Sequence, residues 1–306
     1  MMNVLIGYDG STFADAALDD LRCAGLPAQI QATVLSVADV FSPPPSPSGE
    51  AIAPRLAAAT ERMHLRVNEA MAEARTLAER AASRLRTEFP NWEIKDVAVA
   101  DSPAWALLNR SGSPDGKGTP ADLIVLGEAG RSALGRAVFG SVALKVLTHA
   151  RCSVRIGRAG SRAGTGAPVR IVIGVDGSTD STRALREVGG RAWPPGTQCR
   201  VVTVSDSQLL TVMPGMDPLS IPAASRSAIH LADEAADFLR KAGWESTPVV
   251  KEGAPATMLI QEAESFGADC IFVGARGLRT MERFLLGSVS SAVAMRAPCT
   301  VEVVHA

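Results

Sequence analysis

Two stretches of this chain place glycine and serine at the same spacing. Gly127-Glu-Ala-Gly130 is followed nine residues later by Gly140-Ser141, and Gly274-Ala-Arg-Gly277 is followed nine residues later by Gly287-Ser288. Glycine permits positive φ and lets a ligand approach bare backbone amides, a geometry suited to phosphate oxygens. The Gly-Ser step also opens a helical stretch, 141–149 or 288–296, whose unpaired first-turn N–H groups and dipole favour an anion. A single Gly-Ser before a helix is commonly only a cap. The same spacing after the same strand in two places strengthens the phosphate reading; the alternative is that these glycines only make tight strand-to-helix turns.

A second pair of motifs, Asp9-Gly-Ser and Asp176-Gly-Ser, lies earlier in each copy. Asp-Gly-Ser is a good helix start and needs no ligand to explain it, so ligand contact and capping both stand for Asp9 and Asp176. There is no G-x-x-x-x-G-K-[ST] loop and no G-x-G-x-x-G after the first strand, which argues against a P-loop NTPase and a nicotinamide-dependent dehydrogenase. No catalytic residue and no metal set can be named: five cysteines (23, 152, 199, 270, 299) stand singly among apolar neighbours and read as buried, reduced thiols, and the four histidines form no ligand spacing.

The elements that must position these motifs come as a repeat. VLIGYDGSTFADAAL from Val4 is echoed by IVIGVDGSTDSTRAL, with Asp9 corresponding to Asp176; ADLIVLGEAG around Asp122 is echoed by ADCIFVGARG around Asp269. Each copy alternates β-type runs with helical stretches. Strands are expected at 3–8 or 170–175, 30–37 or 199–204, 94–99 or 247–251, 122–126 or 269–273, and 152–156 or 299–304. Helices are expected from Ser11 or Ser178 and, after Pro-rich loops (Ser42–Pro47; Pro214–Pro222), over about 54–88 and 223–242. The longer first of these has an Ala-rich stripe and a solvated ion-pair face that includes Glu69, Glu73, Arg80 and Arg84. Strict alternation predicts an α/β fold of two tandem, doubly wound parallel five-stranded sheets with helices on both faces. The small, polar stretch from Arg158 to Pro168 reads as an exposed linker, giving domains 1–157 and 170–306 with a linker over 158–169.

With 306 residues, 46% of them apolar, the chain is long enough for two cores. Its 31 basic and 32 acidic residues form no basic block for nucleic acid, and no apolar run is long enough to span a bilayer. The N-terminus enters a strand without a basic leader, so a cytoplasmic location is expected.

The paired Asp-Gly-Ser turns and G-x2-G-x9-G-S elements resemble those of nucleotide-binding universal stress proteins, over almost the whole chain apart from the linker and Pro-rich loops. The resemblance implies strand order 3-2-1-4-5, which puts the switch point between the first and fourth strands. It implies ATP, with or without Mg²⁺, as ligand, and a stress-responsive regulatory module as function. The implied binding set is Gly7, Asp9, Val37, Gly127, Gly130, Gly140 and Ser141 in the first copy. In the second it is Gly174, Asp176, Val204, Gly274, Gly277, Gly287, Ser288, Val289 and Ser290. Of these, Asp9 and Asp176 lie beside adenine and ribose, backbone near Val37 and Val204 meets the adenine edge, and the glycine loops hold phosphate. The first copy departs from the pattern: Glu128 lies in its glycine loop, and Ala143 replaces the hydroxyl of Ser290, making that site weaker or Mg²⁺-dependent. Arg131, Arg136, Arg276, Arg279 and Arg283 are candidates to neutralise phosphate. Fifth strands of this family pair across a two-fold axis, implying a pseudo-dimer of the two domains and a surface compatible with homodimerisation. A slow Mg²⁺-dependent ATPase and a nucleotide-free interaction scaffold are the alternative functions.

Overall fold

The computed structural model describes residues 1–40, 54–112, 120–131, 139–160, 167–205, 220–278 and 286–306. The first half runs β1 (Met2–Gly7), α1 (Thr12–Asp20), β2 (Ile30–Ala38), α2 (Pro54–Glu88), β3 (Glu93–Ala100), α3 (Pro103–Ser111), β4 (Leu123–Gly127), α4 (Ser141–His149) and β5 (Ser153–Gly157). The second repeats the order as β6 (Arg170–Gly174), α5 (Thr179–Gly190), β7 (Gln198–Ser205), α6 (Ser220–Lys241), β8 (Glu245–Glu252), α7 (Pro255–Phe266), β9 (Cys270–Gly274), α8 (Ser288–Arg296) and β10 (Thr300–Val304). α3 and α7 each begin on a proline, whose fixed φ and missing N–H suit the first helical position. α6 starts earlier than expected, so Pro222 belongs to its first turn, where an absent N–H costs no helical bond. The expected loop at Ser42–Pro47 and the start of the one at Pro214 lie outside the described residues.

The strands form one ten-stranded sheet in the order β3-β2-β1-β4-β5-β10-β9-β6-β7-β8. Within each half the order is the expected 3-2-1-4-5 and every pairing is parallel; β5 and β10 pair antiparallel and fuse the two five-stranded sheets. The central strands are apolar on both sides because helices cover both faces: Leu123, Ile124 and Val125 of β4 are fully buried, as are Ile271 and Phe272 of β9. On one face a single apolar cluster runs through both halves, joining Leu107, Ile124, Val146 and Ile156 to Leu259, Ile271, Val293 and Val301. On the other, α1 and α2 cover one cluster and α5 and α6 cover a second.

Between those last two clusters the seam is ionic. Arg155 of β5 stands opposite Glu302 of β10 in register, and both are completely buried. Arg155 donates to Asp20 Oδ2 at 2.6 Å and to Glu302 Oε2 at 2.9 Å. Arg191, at the end of α5, donates to both carboxylate oxygens of Glu302 and, at 2.9 Å, to the Ala24 carbonyl of the other half. The guanidinium of Arg191 lies 5.1 Å from the Phe272 ring centroid. Burial alone pushes the Glu302 carboxyl up, but Arg191 and Arg155 more than offset it and hold the group below the usual carboxylate range. Alongside, Gly25 (φ 61°) packs against the Trp193 indole so closely that a Cβ would lie 2.5 Å from it.

The ends of the expected linker differ from the sequence reading. Arg158 and Val169 are buried, and Arg158 hydrogen-bonds into the second half, through its N–H to Thr300 and its guanidinium to the Cys299 and Ala294 carbonyls. Residues 161–166 lie outside the described segments.

Candidate functional site

At the carboxyl ends of β1 and β6 the chain makes the same turn twice. Gly10 and Gly177 take φ of 78° and 83°, a region that strains residues with a Cβ. Ser11 and Ser178 then cap α1 and α5, their hydroxyls accepting from Ala14 N at 3.1 Å and Ser181 N at 3.2 Å. Capping therefore belongs to the serines. The preceding aspartates do something else: Asp9 Oδ1 and Asp176 Oδ1 accept from the N–H of Ser11 and Ser178, both at 3.0 Å. Their second oxygens reach across to the glycine loop, accepting from Arg131 N at 3.1 Å and Leu278 N at 3.2 Å. Each aspartate thus fastens the β1 or β6 turn to the loop after β4 or β9, at the switch point of the sheet. Burial pushes the Asp176 carboxyl up, but hydrogen bonds from Ser178, Ser181 and the Leu278 amide prevail and lower it.

The glycines of the loops have separate roles. A Cβ on Gly127 would lie 2.6 Å from Phe13 backbone, and one on Gly274 2.5 Å from the Ser181 amide, so these two let α1 and α5 pack directly on strand ends. A Cβ on Gly130 or Gly277 would lie 2.9 or 2.8 Å from the aspartate Oδ2. Gly7 and Gly174 instead face leucines: a Cβ would lie 2.4 Å from Leu126 Cδ2 in the first half and 3.1 Å from Leu259 Cδ1 in the second. Gly140 and Gly287 donate to the carbonyls of Glu128 and Ala275, both at 2.8 Å, which seats the starts of α4 and α8 against the loops.

Neither α4 nor α8 has a side-chain cap. Among the described residues their first-turn donors therefore have no side-chain acceptor, beside the exposed hydroxyl-bearing residues Ser141 and Ser288. Ser290 is buried and donates to the Gly274 carbonyl, so its hydroxyl braces the loop after β9. Val289 packs partly buried on the apolar cluster, as do Val37 near the end of β2 and Val204 near the end of β7. Ser36, next to Val37, donates to the Tyr8 carbonyl at 2.7 Å and ties the end of β2 to the turn that carries Asp9.

The arginines are arranged differently from the sequence reading. Arg276 makes a two-pronged pair with Asp180 at 2.9 and 3.0 Å, an interaction between residues too far apart in sequence for spacing to reveal. Arg131 pairs with Glu73 of α2, so Glu73 points to the loop rather than along its own helix. Arg136, Arg279 and Arg283 lie outside the described residues. Glu128 in turn pairs with Arg158 at 2.6 Å. Where Arg131 and Glu73 pair beside the first site, the corresponding residues in the second are Leu278 and Ser227. Among the described residues no group of His, Cys, Asp and Glu is arranged to hold a metal, and no helix is long and apolar enough to cross a membrane.

The chain is similar to known proteins over most of its length. The model of the universal stress protein family matches residues 117–158 and 169–305, more than half of the chain. A universal stress protein of Mycobacterium tuberculosis strain H37Rv is 29% identical over 312 aligned residues, covering 97% of this chain and 96% of its own. A universal stress protein of Mycolicibacterium smegmatis is 27% identical, covering 99% and 96%. Among solved structures, a universal stress protein from Archaeoglobus fulgidus superposes over 99% of this chain and 98% of its own, with a TM-score of 0.60 at 18% identity.

Proposed function

Because the chain belongs to the universal stress protein family, we propose that it is a cytoplasmic, adenine-nucleotide-binding regulatory module that takes ATP, with Mg²⁺ as counter-ion, in two crevices. The observation that carries this reading is the contrast between helix starts in each half. α1 and α5 are closed by serine caps, whereas α4 and α8 start on glycine with no side-chain cap, at the switch point and against a loop fastened by Asp9 or Asp176. A polyphosphate fits that unmet demand for an acceptor, because each open N–H gains a charge-assisted bond and the helix dipole adds to it. Adenine would lie toward the ends of β2 and β7 near Val37 and Val204, and ribose beside Asp9 or Asp176.

Bound Mg²⁺ would offset phosphate charge. The chain's own part in this reading is to orient and to hold: the aspartates fix the loop, Gly130 and Gly277 keep the approach open, and Ser141 and Ser288 add donors. ATP occupancy would then order the loops and alter the surface that a stress-response partner reads. The second crevice lacks the Arg131–Glu73 pair, with Leu278 and Ser227 at the corresponding positions.

Calorimetric titration of nucleotide-stripped protein with ATP and Mg²⁺ tests the reading, for the parent and for Gly130→Val and Gly277→Val. Two sites per chain, each lost with its own valine, is the expected result. One site lost only with Gly277→Val would assign binding to the second half alone. Absence of heat with the parent, with no nucleotide released on denaturation, would refute it.

A further inference from the structure

We propose that Arg158 is a positioning residue that makes the first cradle compatible with an anion, by neutralising Glu128 from a place fixed by the second half of the chain. The proposal rests on the nucleotide reading above and concerns the regulation of that same site.

Glu128 is part of the cradle itself: its carbonyl accepts from Gly140 N and so seats the start of α4. A free carboxylate there would oppose phosphate. Its Oε2 instead accepts from Arg158 Nε at 2.6 Å. The rest of the guanidinium is used in the other half, with Nη1 donating to the Cys299 carbonyl at 3.0 Å and Nη2 to the Ala294 carbonyl at 2.6 Å. Arg158 N also donates to Thr300 Oγ1 at 3.1 Å. The Ala294 carbonyl belongs to the last turn of α8, and the residue four further on is Pro298, which has no N–H to give it. Arg158 fills that place. Its planar fork therefore has fixed acceptors in the second half whether or not Glu128 is present, and only 7% of Arg158 is exposed.

The two halves supply an internal control. Glu128 and Arg158 correspond to Ala275 and His305 in the second copy. The acid and the base are present together in one half and missing together in the other. A loop without the acid needs no such arginine, and Arg276 there is bound to Asp180 within its own half. It follows that the first cradle is complete only when the halves are docked along the β5–β10 seam, and that disturbing the seam near Thr300 releases negative charge into the first site.

The experiment uses the full chain with Gly277→Val to silence the second cradle, titrated with Mg²⁺-ATP and separately with adenosine. Arg158→Met is expected to weaken ATP on the order of tenfold and to leave adenosine unaltered, because the freed carboxylate opposes only phosphate. Adding Glu128→Gln to Arg158→Met is expected to return ATP affinity to within about twofold of the Gly277→Val parent. Should Arg158→Met fail to fold, Arg158→Gln with and without Glu128→Gln gives the same comparison, since a neutral amide still offers donors to the carbonyls but cannot neutralise the carboxylate. Equal weakening of adenosine, no rescue by Glu128→Gln, or no change with either Arg158 variant would overturn the proposal. Lack of binding by the Gly277→Val chain where the parent binds would overturn the proposal as well, whereas lack of binding by the parent itself would overturn the nucleotide reading on which it rests.

Discussion

Replacing Glu302 by glutamine tests the ionic seam with minimal change in shape. Glu302 is completely buried, accepts from Arg155 Nη1 and Arg191 Nη1 at 2.9 Å each, and accepts again from Arg191 Nη2. Asp20, Arg155, Glu302 and Arg191 form a balanced quartet of two acids and two bases. Glutamine keeps one acceptor oxygen but points an NH₂ group at a guanidinium, and it leaves a net positive charge buried away from the surface. Removing one partner of a buried pair costs about 3–5 kcal/mol. For a chain of this size that corresponds to a fall in melting temperature on the order of 10 °C. Urea unfolding followed by tryptophan fluorescence gives the free energy, and Trp193 beside Arg191 reports on the seam itself. The pH dependence supplies an independent check. Because the folded-state pKa of Glu302 is depressed, its contribution is fully present above the unfolded carboxylate value and is lost as pH falls through the folded one. Part of the acid-side loss of stability should therefore vanish in the variant. A loss below about 1 kcal/mol at neutral pH, with an unchanged acid limb, would show that the quartet does not bind the halves as argued.

His305 is held neutral by burial, its pKa lowered to about 4 chiefly through desolvation, so stability should fall as pH drops from about 6.5 toward 4. His305→Gln should flatten that limb in urea titrations at pH 7.5 and 5. Ser290→Ala, which removes the donor to the Gly274 carbonyl, should cost about 1 kcal/mol in the same assay. A thiol reagent at pH 8 should leave Cys199, Cys270 and Cys299 unmodified in the folded chain, since burial pushes Cys199 and Cys299 up to about 12 and Cys270 well above its usual value; all five should react in denaturant. Rapid native labelling of Cys270 would place the seam in contact with solvent.

The architecture was legible because its signals are local and occur twice. The β-type runs at Val4 and Val172, the Asp-Gly-Ser turns and the two glycine loops each fix an element from its own residues, and the repeat orders them. What spacing could not show were the partners of charged side chains. Glu128 looked like an obstacle to phosphate because Arg158, thirty residues on, read as a polar linker residue; both facts change once β5 is paired and the chain after it is buried. Arg276 looked available, and its partner Asp180 lies ninety-six residues earlier, in the first turn of α5. The hydroxyl of Ser290 turns toward the Gly274 carbonyl, a contact that spacing does not reveal. The sequence does carry one sign of the seam: Arg155 and Glu302 each interrupt an apolar strand with a charge at the same place in the two copies. In strands covered on both faces such a charge calls for a buried partner.

The differences between the halves occur in pairs that make chemical sense together. Asp180 and Arg276 form an ion pair in the second half, and the corresponding residues in the first are Phe13 and Ala129. Arg131 and Glu73 pair in the first half where the second has Leu278 and Ser227. The seam follows the same logic across the duplication rather than within one half. Positions 155 and 302 are equivalent, and an antiparallel two-fold pairing sets equivalent positions against each other. Two identical halves would therefore oppose like charges in a fully buried site, arginine against arginine or glutamate against glutamate. Only unlike halves can satisfy it, with Arg155 from one and Glu302 from the other, each supported by an outer partner, Asp20 or Arg191. The sequence divergence of the two copies is thus tied to their place in one sheet, and the charges that distinguish them are the charges that join them.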